Sequence, residues 1–256
     1  MAKIETLDER IKTLSAHWRL YAPEGEGPFA LMIQMHGCGG CHAFQDDYAR
    51  AAVAEGAAAL VVDSYPHRNI SPAKAVGMVC TGLKLWGRER AGDLYAAFAW
   101  ARSQPTIDRA RIFASGWSHG GWSVLDALAV ASPRERERWT GLVDLPDEPL
   151  EGLAGAFVFY PYCGAASVAR ARGLRFSAPV HAIVAGADGV VGGRKLETAL
   201  RALPKPGATL QWTFFDGASH AFDEPDTGDP RFRFNPDLAA KSRRLWLAML
   251  KGQYIE

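Results

Sequence analysis

The chain has 256 residues, 48% of them apolar, and a formal net charge of +1 with acids and bases interspersed. That length suits one large α/β domain or two small ones, and the balanced charge argues against a dedicated nucleic-acid or polyanion surface. No apolar run approaches the ~20 residues that span a bilayer, so neither nucleic acid nor membrane is an expected partner.

The first eight residues are mixed and charged and lack a signal-peptide core, which leads to the expectation of a cytoplasmic protein. Residues 18–22 alternate as a half-buried strand would, and Pro23 to Pro28 reads as a turn. Residues 30–35 are apolar at nearly every position, as in a strand buried on both faces. The same pattern returns at 57–62, 112–115, 156–160 and 180–185, and 210–215 reads as the last strand. Helical periodicity falls between them, at 48–55, 89–103, 120–131, 196–203 and 237–250. In the second of these, Leu94, Ala97, Phe98 and Ala101 share one face.

This alternation predicts an α/β fold: a doubly wound, mostly parallel sheet with helices on both faces, forming a single domain over 1–256. Two irregular stretches, 66–87 and 223–235, are long enough to line a site. Residues 132–152 are charged and punctuated by proline, and read as a surface excursion.

The run 110–115 leads directly into Gly116-Trp117-Ser118-His119-Gly120. A strand that ends in G-x-S-x-G and enters a helix is a nucleophile elbow, a turn too tight for bulk on either side of the serine. It lifts the Ser118 hydroxyl clear of the sheet, and the positive end of the next helix faces the same point. Serine is a poor nucleophile at its own pKa and needs a base, which in turn needs an orienting group.

In a parallel sheet those partners belong at the carboxyl ends of strands. Asp188 follows the strand ending Ile183-Val184-Ala185, and His220 follows the last strand. The order Ser118, Asp188, His220 is that of an α/β-hydrolase triad. His36-Gly37-Cys38-Gly39-Gly40 closes an early buried strand, where an oxyanion-hole donor is needed. The expected donors are the backbone N–H groups of Cys38 and His119.

Competing assignments are bland by comparison. His181 begins a strand and reads as a core or edge residue, and the His119 side chain should point along its helix. His36, His42 and His67 precede the serine, against the expected order. Asp216, Asp223 or Glu224 could orient His220 in place of Asp188, and Asp63 reads as a loop cap. Cys38-Gly39-Gly40-Cys41 is formally C-x-x-C, but no redox or zinc context surrounds it. The four cysteines, which include Cys80 and Cys163, therefore read as small, partly buried thiols, with one disulfide from Cys80 to Cys38 or Cys41 as the alternative.

With those residues in place the chain resembles the α/β-hydrolase superfamily, and within it the dienelactone hydrolase-like branch. The resemblance runs from about Trp18 to Leu250. It rests on His36-Gly37-Cys38-Gly39-Gly40, Asp63-Ser64-Tyr65, Arg90 with Asp93, and Gly116-Trp117-Ser118-His119-Gly120-Gly121. It continues through Tyr160-Pro161, Ala185-Gly186-Ala187-Asp188 and Gly217-Ala218-Ser219-His220-Ala221-Phe222. The superfamily implies the triad roles of Ser118, Asp188 and His220. The branch implies the absence of a large cap domain, since only 162–179 separates the strands where caps enter.

The founding dienelactone hydrolases carry cysteine at the elbow, and Ser118 in that place favours general ester or lactone hydrolysis. Those enzymes also hold a substrate carboxylate with arginine. Arg68, Arg88 and Arg90 are available, although Arg90 with Asp93 reads more readily as an ion pair. The expectation is a serine hydrolase that needs no cofactor and no metal. It should act on a small ester or lactone, in a pocket walled by 66–87 and 223–235 with Trp86, Trp117, Trp122, Tyr162 and Phe222 as apolar contacts. Two rival readings are amide or peptide cleavage on the same triad, and a non-catalytic binding protein on the same fold. Nothing in the sequence sets the oligomeric state.

Overall fold

The computed structural model describes residues 3–130, 132–203, 209–225 and 227–253. Strands β1 (Arg19–Tyr21), β2 (Phe29–Met35), β3 (Ala58–Val62), β4 (Ile107–Trp117), β5 (Leu153–Phe159), β6 (Val180–Ala185) and β7 (Leu210–Phe215) form one sheet in the order β1-β3-β2-β4-β5-β6-β7. All pairings are parallel except that of β1 with β3 at the edge.

The helices are α1 (Leu7–Ser15), α2 (Ala43–Ala54), the single turn α3 (Pro72–Lys74), α4 (Gly87–Ser103), α5 (His119–Ala127), α6 (Pro133–Thr140), α7 (Val168–Arg172), α8 (Gly193–Arg201) and α9 (Pro236–Leu250). No helix among the described residues is long and apolar enough to cross a membrane.

Side chains of a strand alternate between faces, and both faces here are covered. Leu31, Ile33 and Met35 of β2 join one core with Leu94 and Phe98 of α4, Val124 of α5 and Leu196 of α8. Ala30 and Met32 join the other core, with Phe44 and Tyr48 of α2 and Trp246 of α9. A strand buried on both sides cannot alternate polar with apolar, which is why the central strands read as continuous apolar runs. Between β5 and β6 the only helix is the five-residue α7, so no large cap is present.

The predicted strands fall within five residues of their observed ends, and two match at both ends. The expected 120–131 helix starts one residue earlier and ends at Ala127, and its expected last residue, Ala131, lies outside the described residues. Four helices were not foreseen: α1, α3, α6 and α7. In α1 a capping box closes the first turn: Glu9 N–H donates to Thr6 Oγ1, and Thr6 N–H donates to Glu9 Oε2. The helix docks through Arg10, buried against Asp93 Oδ1 (2.8 Å) and the Thr140 carbonyl (2.9 Å). The excursion at 132–152 contains α6, which Pro133 opens.

Residues 66–87 are not irregular throughout. They hold a 3-10 turn at Pro66–Arg68, α3, and a π-helical turn at Ala75–Val79.

Candidate active site

Strand β4 delivers Ser118 at its carboxyl end, with φ +51° and ψ −109°, a backbone conformation costly for any residue but glycine. Close packing enforces it. A Cβ on Gly116 would lie 2.4 Å from the Gly120 carbonyl carbon, and one on Gly120 would lie 2.0 Å from the Met35 oxygen. The elbow is thus pressed against its own helix and against β2, and neither position tolerates a side chain. Ser118 N–H donates to the Phe159 carbonyl (2.9 Å), which fixes the turn to the end of β5.

The three residues expected from distant parts of the chain meet here. His220 Nε2 lies 2.8 Å from Ser118 Oγ, and His220 Nδ1 lies 2.7 Å from Asp188 Oδ2. The other Asp188 oxygen accepts the N–H groups of Val190 (2.7 Å) and Val191 (2.9 Å). Asp188 and His220 are buried, whereas Ser118 is partly exposed. Asp188 is therefore the carboxylate bonded to the imidazole, and Asp216, Asp223 and Glu224 are not. Asp223 turns inward to Tyr48, Trp117 and Tyr160, and Glu224 pairs with His42.

The loop 36–41 runs beside the elbow: a Cβ on Gly37 would sit 3.9 Å from Ser118 Cβ. Ser64 N–H donates to His36 Nε2 (3.1 Å), so His36 carries its proton on Nδ1 and donates it to the Gly37 carbonyl (2.7 Å). That carbonyl belongs to the peptide unit whose N–H is Cys38. Burial, and then the charge of Arg90, hold His36 well below its ordinary pKa, so it stays neutral.

The same two causes push His119 down to about 3. It is buried, donating from Nε2 to the Leu85 carbonyl (2.6 Å) with Nδ1 3.3 Å from Arg90 Nη1.

Arg90 makes no pair with Asp93, contrary to expectation. It is buried against Ser64 Oγ (2.8 Å) and the His36 carbonyl (2.6 Å). Asp93 is claimed by Arg10 and by both Nη atoms of Arg68 (2.7 and 2.8 Å). Burial alone would raise the Asp93 carboxyl, but Arg68 and Arg10 outweigh it and hold the group far below the usual carboxylate range.

Asp63 accepts the Tyr65 N–H (3.0 Å) as an ordinary loop cap. His181 is buried with Nε2 3.0 Å from Thr213 Oγ1.

The thiol reading fails for two of the four cysteines: Cys38 and Cys80 form a disulfide. It links the 36–41 loop to the π-helical turn, 42 positions away in sequence. Cys41 and Cys163 are free, and burial pushes their thiols up to about 12 and about 11, which keeps them unreactive.

His36, Cys41 and Asp63 place potential metal ligands within 4.8 Å of one another. They do not suit an ion. The His36 Nε2 lone pair is occupied by Ser64 N–H and its Nδ1 proton by the Gly37 carbonyl, and burial pushes the Cys41 thiol up to about 12.

The cavity at Ser118 measures about 320 Å³. Its apolar wall is Val79, Trp86, Trp122, Tyr162, Val190 and Val191, closed by the disulfide. The expected wall at 66–87 contributes; of 223–235, Phe232 lies against the His220 ring with centroids 5.5 Å apart, while Glu224, Thr227 and Phe234 border a separate hollow. Trp86, Trp122 and Tyr162 line the cavity, while Trp117 and Phe222 belong to the core. Arg68 and Arg88 border a different cavity of about 720 Å³ beside α1, away from Ser118. Val190 and Val191 escaped the sequence reading, although their place directly after Asp188 puts them at the same sheet edge.

The profile of the dienelactone hydrolase family matches residues 143–252, which hold Asp188 and His220. That of the prolyl oligopeptidase family matches 80–135, which hold Ser118. No curated protein matches the chain.

Among solved structures, the chain is similar to a candidate dienelactone hydrolase of Klebsiella pneumoniae (20% identity, TM-score 0.67, 93% of this chain and 92% of the other). A dienelactone hydrolase of Anabaena variabilis is similar at 19% identity and TM-score 0.63, over 93% and 92%. An esterase of Thermogutta terrifontis follows at 16% identity and TM-score 0.59, over 93% and 90%. Sheet order, elbow and these likenesses agree: the chain has the α/β-hydrolase fold, and within that fold it is similar to the dienelactone hydrolases.

Proposed function

We propose that the chain hydrolyses small, uncharged carboxylic esters or lactones through an acyl-enzyme on Ser118. The observation that carries this reading is the unbroken line Ser118 Oγ, His220, Asp188, at 2.8 and 2.7 Å. In this mechanism His220 Nε2 takes the hydroxyl proton as Ser118 attacks the carbonyl carbon. Asp188, whose other oxygen accepts the N–H groups of Val190 and Val191, keeps the other ring proton on Nδ1 and stabilises the imidazolium. The carbonyl oxygen becomes an oxyanion facing the N–H groups of Cys38 and His119. His220 returns its proton to the leaving alcohol, and water repeats the sequence on the acyl group.

The His36 bond to the Gly37 carbonyl polarises the peptide unit that ends in the Cys38 N–H and so strengthens it as a donor.

The lining of the cavity supports an uncharged acyl group. No Asp, Glu, Lys or Arg lines it, and its one histidine, His119, is neutral. A substrate carboxylate would find no arginine there, which distinguishes this pocket from that expected of a dienelactone hydrolase. The Thermogutta terrifontis esterase has been captured with propionate and with butyrate, and phosphonylated by cyclosarin. Those are short acyl groups and a serine-directed phosphonate, and the small cavity here suits the same kind of ligand.

The Cys38–Cys80 disulfide favours an oxidising compartment over the expected cytoplasm.

The test is covalent labelling by a fluorophosphonate together with turnover of short-chain aryl esters. Labelling should vanish in Ser118→Ala, and turnover should fall by about 10³-fold or more. A parent protein that takes no label and hydrolyses no ester would refute the proposal. Faster turnover of matched anilides than of esters would move the reading to amide cleavage.

A further inference from the structure

Behind the site lies a carboxylate that the proposed chemistry does not use. Asp223 is three residues beyond His220 on the loop between β7 and α9, and it is 1% exposed. It accepts three hydrogen bonds, from Tyr160 Oη (2.6 Å), Trp117 Nε1 (2.9 Å) and Tyr48 Oη (3.0 Å). All three donors are themselves buried. Burial raises its carboxyl above the ordinary carboxylate range, and the three donors pull against that rise.

What those donors belong to is informative. Trp117 immediately precedes Ser118. Tyr160 immediately follows Phe159, whose carbonyl receives the Ser118 N–H. The Tyr160 ring lies against the His220 imidazole, with centroids 4.6 Å apart. One carboxylate therefore ties the chain before the serine, the plate behind the histidine, and the loop that carries the histidine.

Backbone strain collects at the same place. Ser118, Tyr160 and Ala221 have φ of +51°, +36° and +52°, values that none of these residue types prefers. Strained backbone persists only where surrounding bonds over-determine it. The bonds of Asp223 bridge the three strained positions.

We infer that Asp223 is the positioning residue that sets the distance from Ser118 to His220, acting through Tyr160 and Trp117 without touching substrate. This rests on reading Ser118 as nucleophile and His220 as base. Tyr48 supplies an internal control. Its hydroxyl bonds to the same carboxylate and to Ser242 Oγ, and it is equally buried, yet its ring meets Trp117, Phe159 and Trp246, whereas only the Tyr160 ring lies against His220. A purely structural carboxylate would not distinguish the two tyrosines; a positioning one would.

The experiment compares Tyr160→Phe, Tyr48→Phe and Asp223→Asn with the parent, measuring kcat and KM on a short-chain aryl ester, melting temperature, and fluorophosphonate labelling. Both tyrosine variants should lose similar thermal stability. Tyr160→Phe should lose at least 10-fold in kcat, about 1.4 kcal/mol of barrier, with KM within about twofold. Tyr48→Phe should stay within about twofold in kcat, and Asp223→Asn should lose at least as much kcat as Tyr160→Phe.

Equal kcat losses in the two tyrosine variants, or none in either, would overturn the inference. So would a Tyr160→Phe variant whose loss falls on KM. If Asp223→Asn does not fold, the tyrosine pair alone decides. A parent protein that takes no label at Ser118 marks failure of the underlying hydrolase reading. Intact labelling with unchanged kcat in all three variants marks failure of this inference alone.

Discussion

Asp126 gives the structure a measurable dependence of stability on pH. It sits on α5, the helix that follows Ser118, and is fully buried. Oδ1 accepts Ser167 Oγ–H (2.9 Å) and Ala169 N–H (3.1 Å), while Oδ2 has no hydrogen-bond partner among the described residues. Burial outweighs those bonds and pushes the carboxyl up to about 7, from an ordinary 3.8. Between those values the folded chain holds a proton that the unfolded chain releases. Each pH unit above about 4 therefore favours unfolding by up to ~1.4 kcal/mol, until the native carboxyl itself ionises near 7.

The perturbation is Asp126→Asn, which keeps the Oδ1 acceptor and cannot ionise. Relative to the parent it should gain under ~1 kcal/mol near pH 4 and ~4 kcal/mol near pH 8. Urea unfolding of both proteins across that range reads the difference directly, and the contributions of all other titrating groups cancel. A difference that stays flat with pH, or that shrinks as pH rises, would refute the account of a buried, protonated acid.

Two further outcomes follow from the packing and the cross-link. Removing the disulfide with Cys80→Ser opens a loop of 42 positions and should cost roughly 4 kcal/mol on the chain-entropy account. A reductant should lower the parent's melting temperature toward that of the variant and leave the variant unmoved. Gly120→Ala should abolish folding to the native state, because its Cβ would meet the Met35 oxygen at 2.0 Å and backbone cannot yield. Gly77→Ala, with nothing within 4 Å, should melt within a few degrees of the parent.

The parts legible from sequence were those with a single physical cause. Strands β2 to β6 lie inside two covered faces, so their apolar runs had no competing explanation. The elbow was legible because only glycine fits at 116 and 120. Asp188 and His220 were legible because strand ends in a parallel sheet share one edge.

What escaped depended on partners remote in sequence. Arg90 and Asp93 are three apart on one helix and suggested a pair, but Asp93 is saturated by Arg10 from α1 and Arg68 from the 66–87 stretch. The choice of Cys38 over Cys41 as the mate of Cys80 is set by the path of the 36–41 loop. The wall at 223–235 was misplaced in part, because Asp223 draws that loop's start into the core. Helix α1 was within reach: Thr6 and Glu9 stand at capping-box spacing in the sequence.

The uncharged lining around Ser118 bears on selectivity. With no ion to attract or repel, such a hollow sorts molecules by shape and by reluctance to stay in water. Contacts of that sort separate ligands differing by one methylene by only ~10–200-fold. On the proposed ester chemistry, a catalyst so equipped would serve a family of related acyl donors, with a turnover that depends little on dissolved salt.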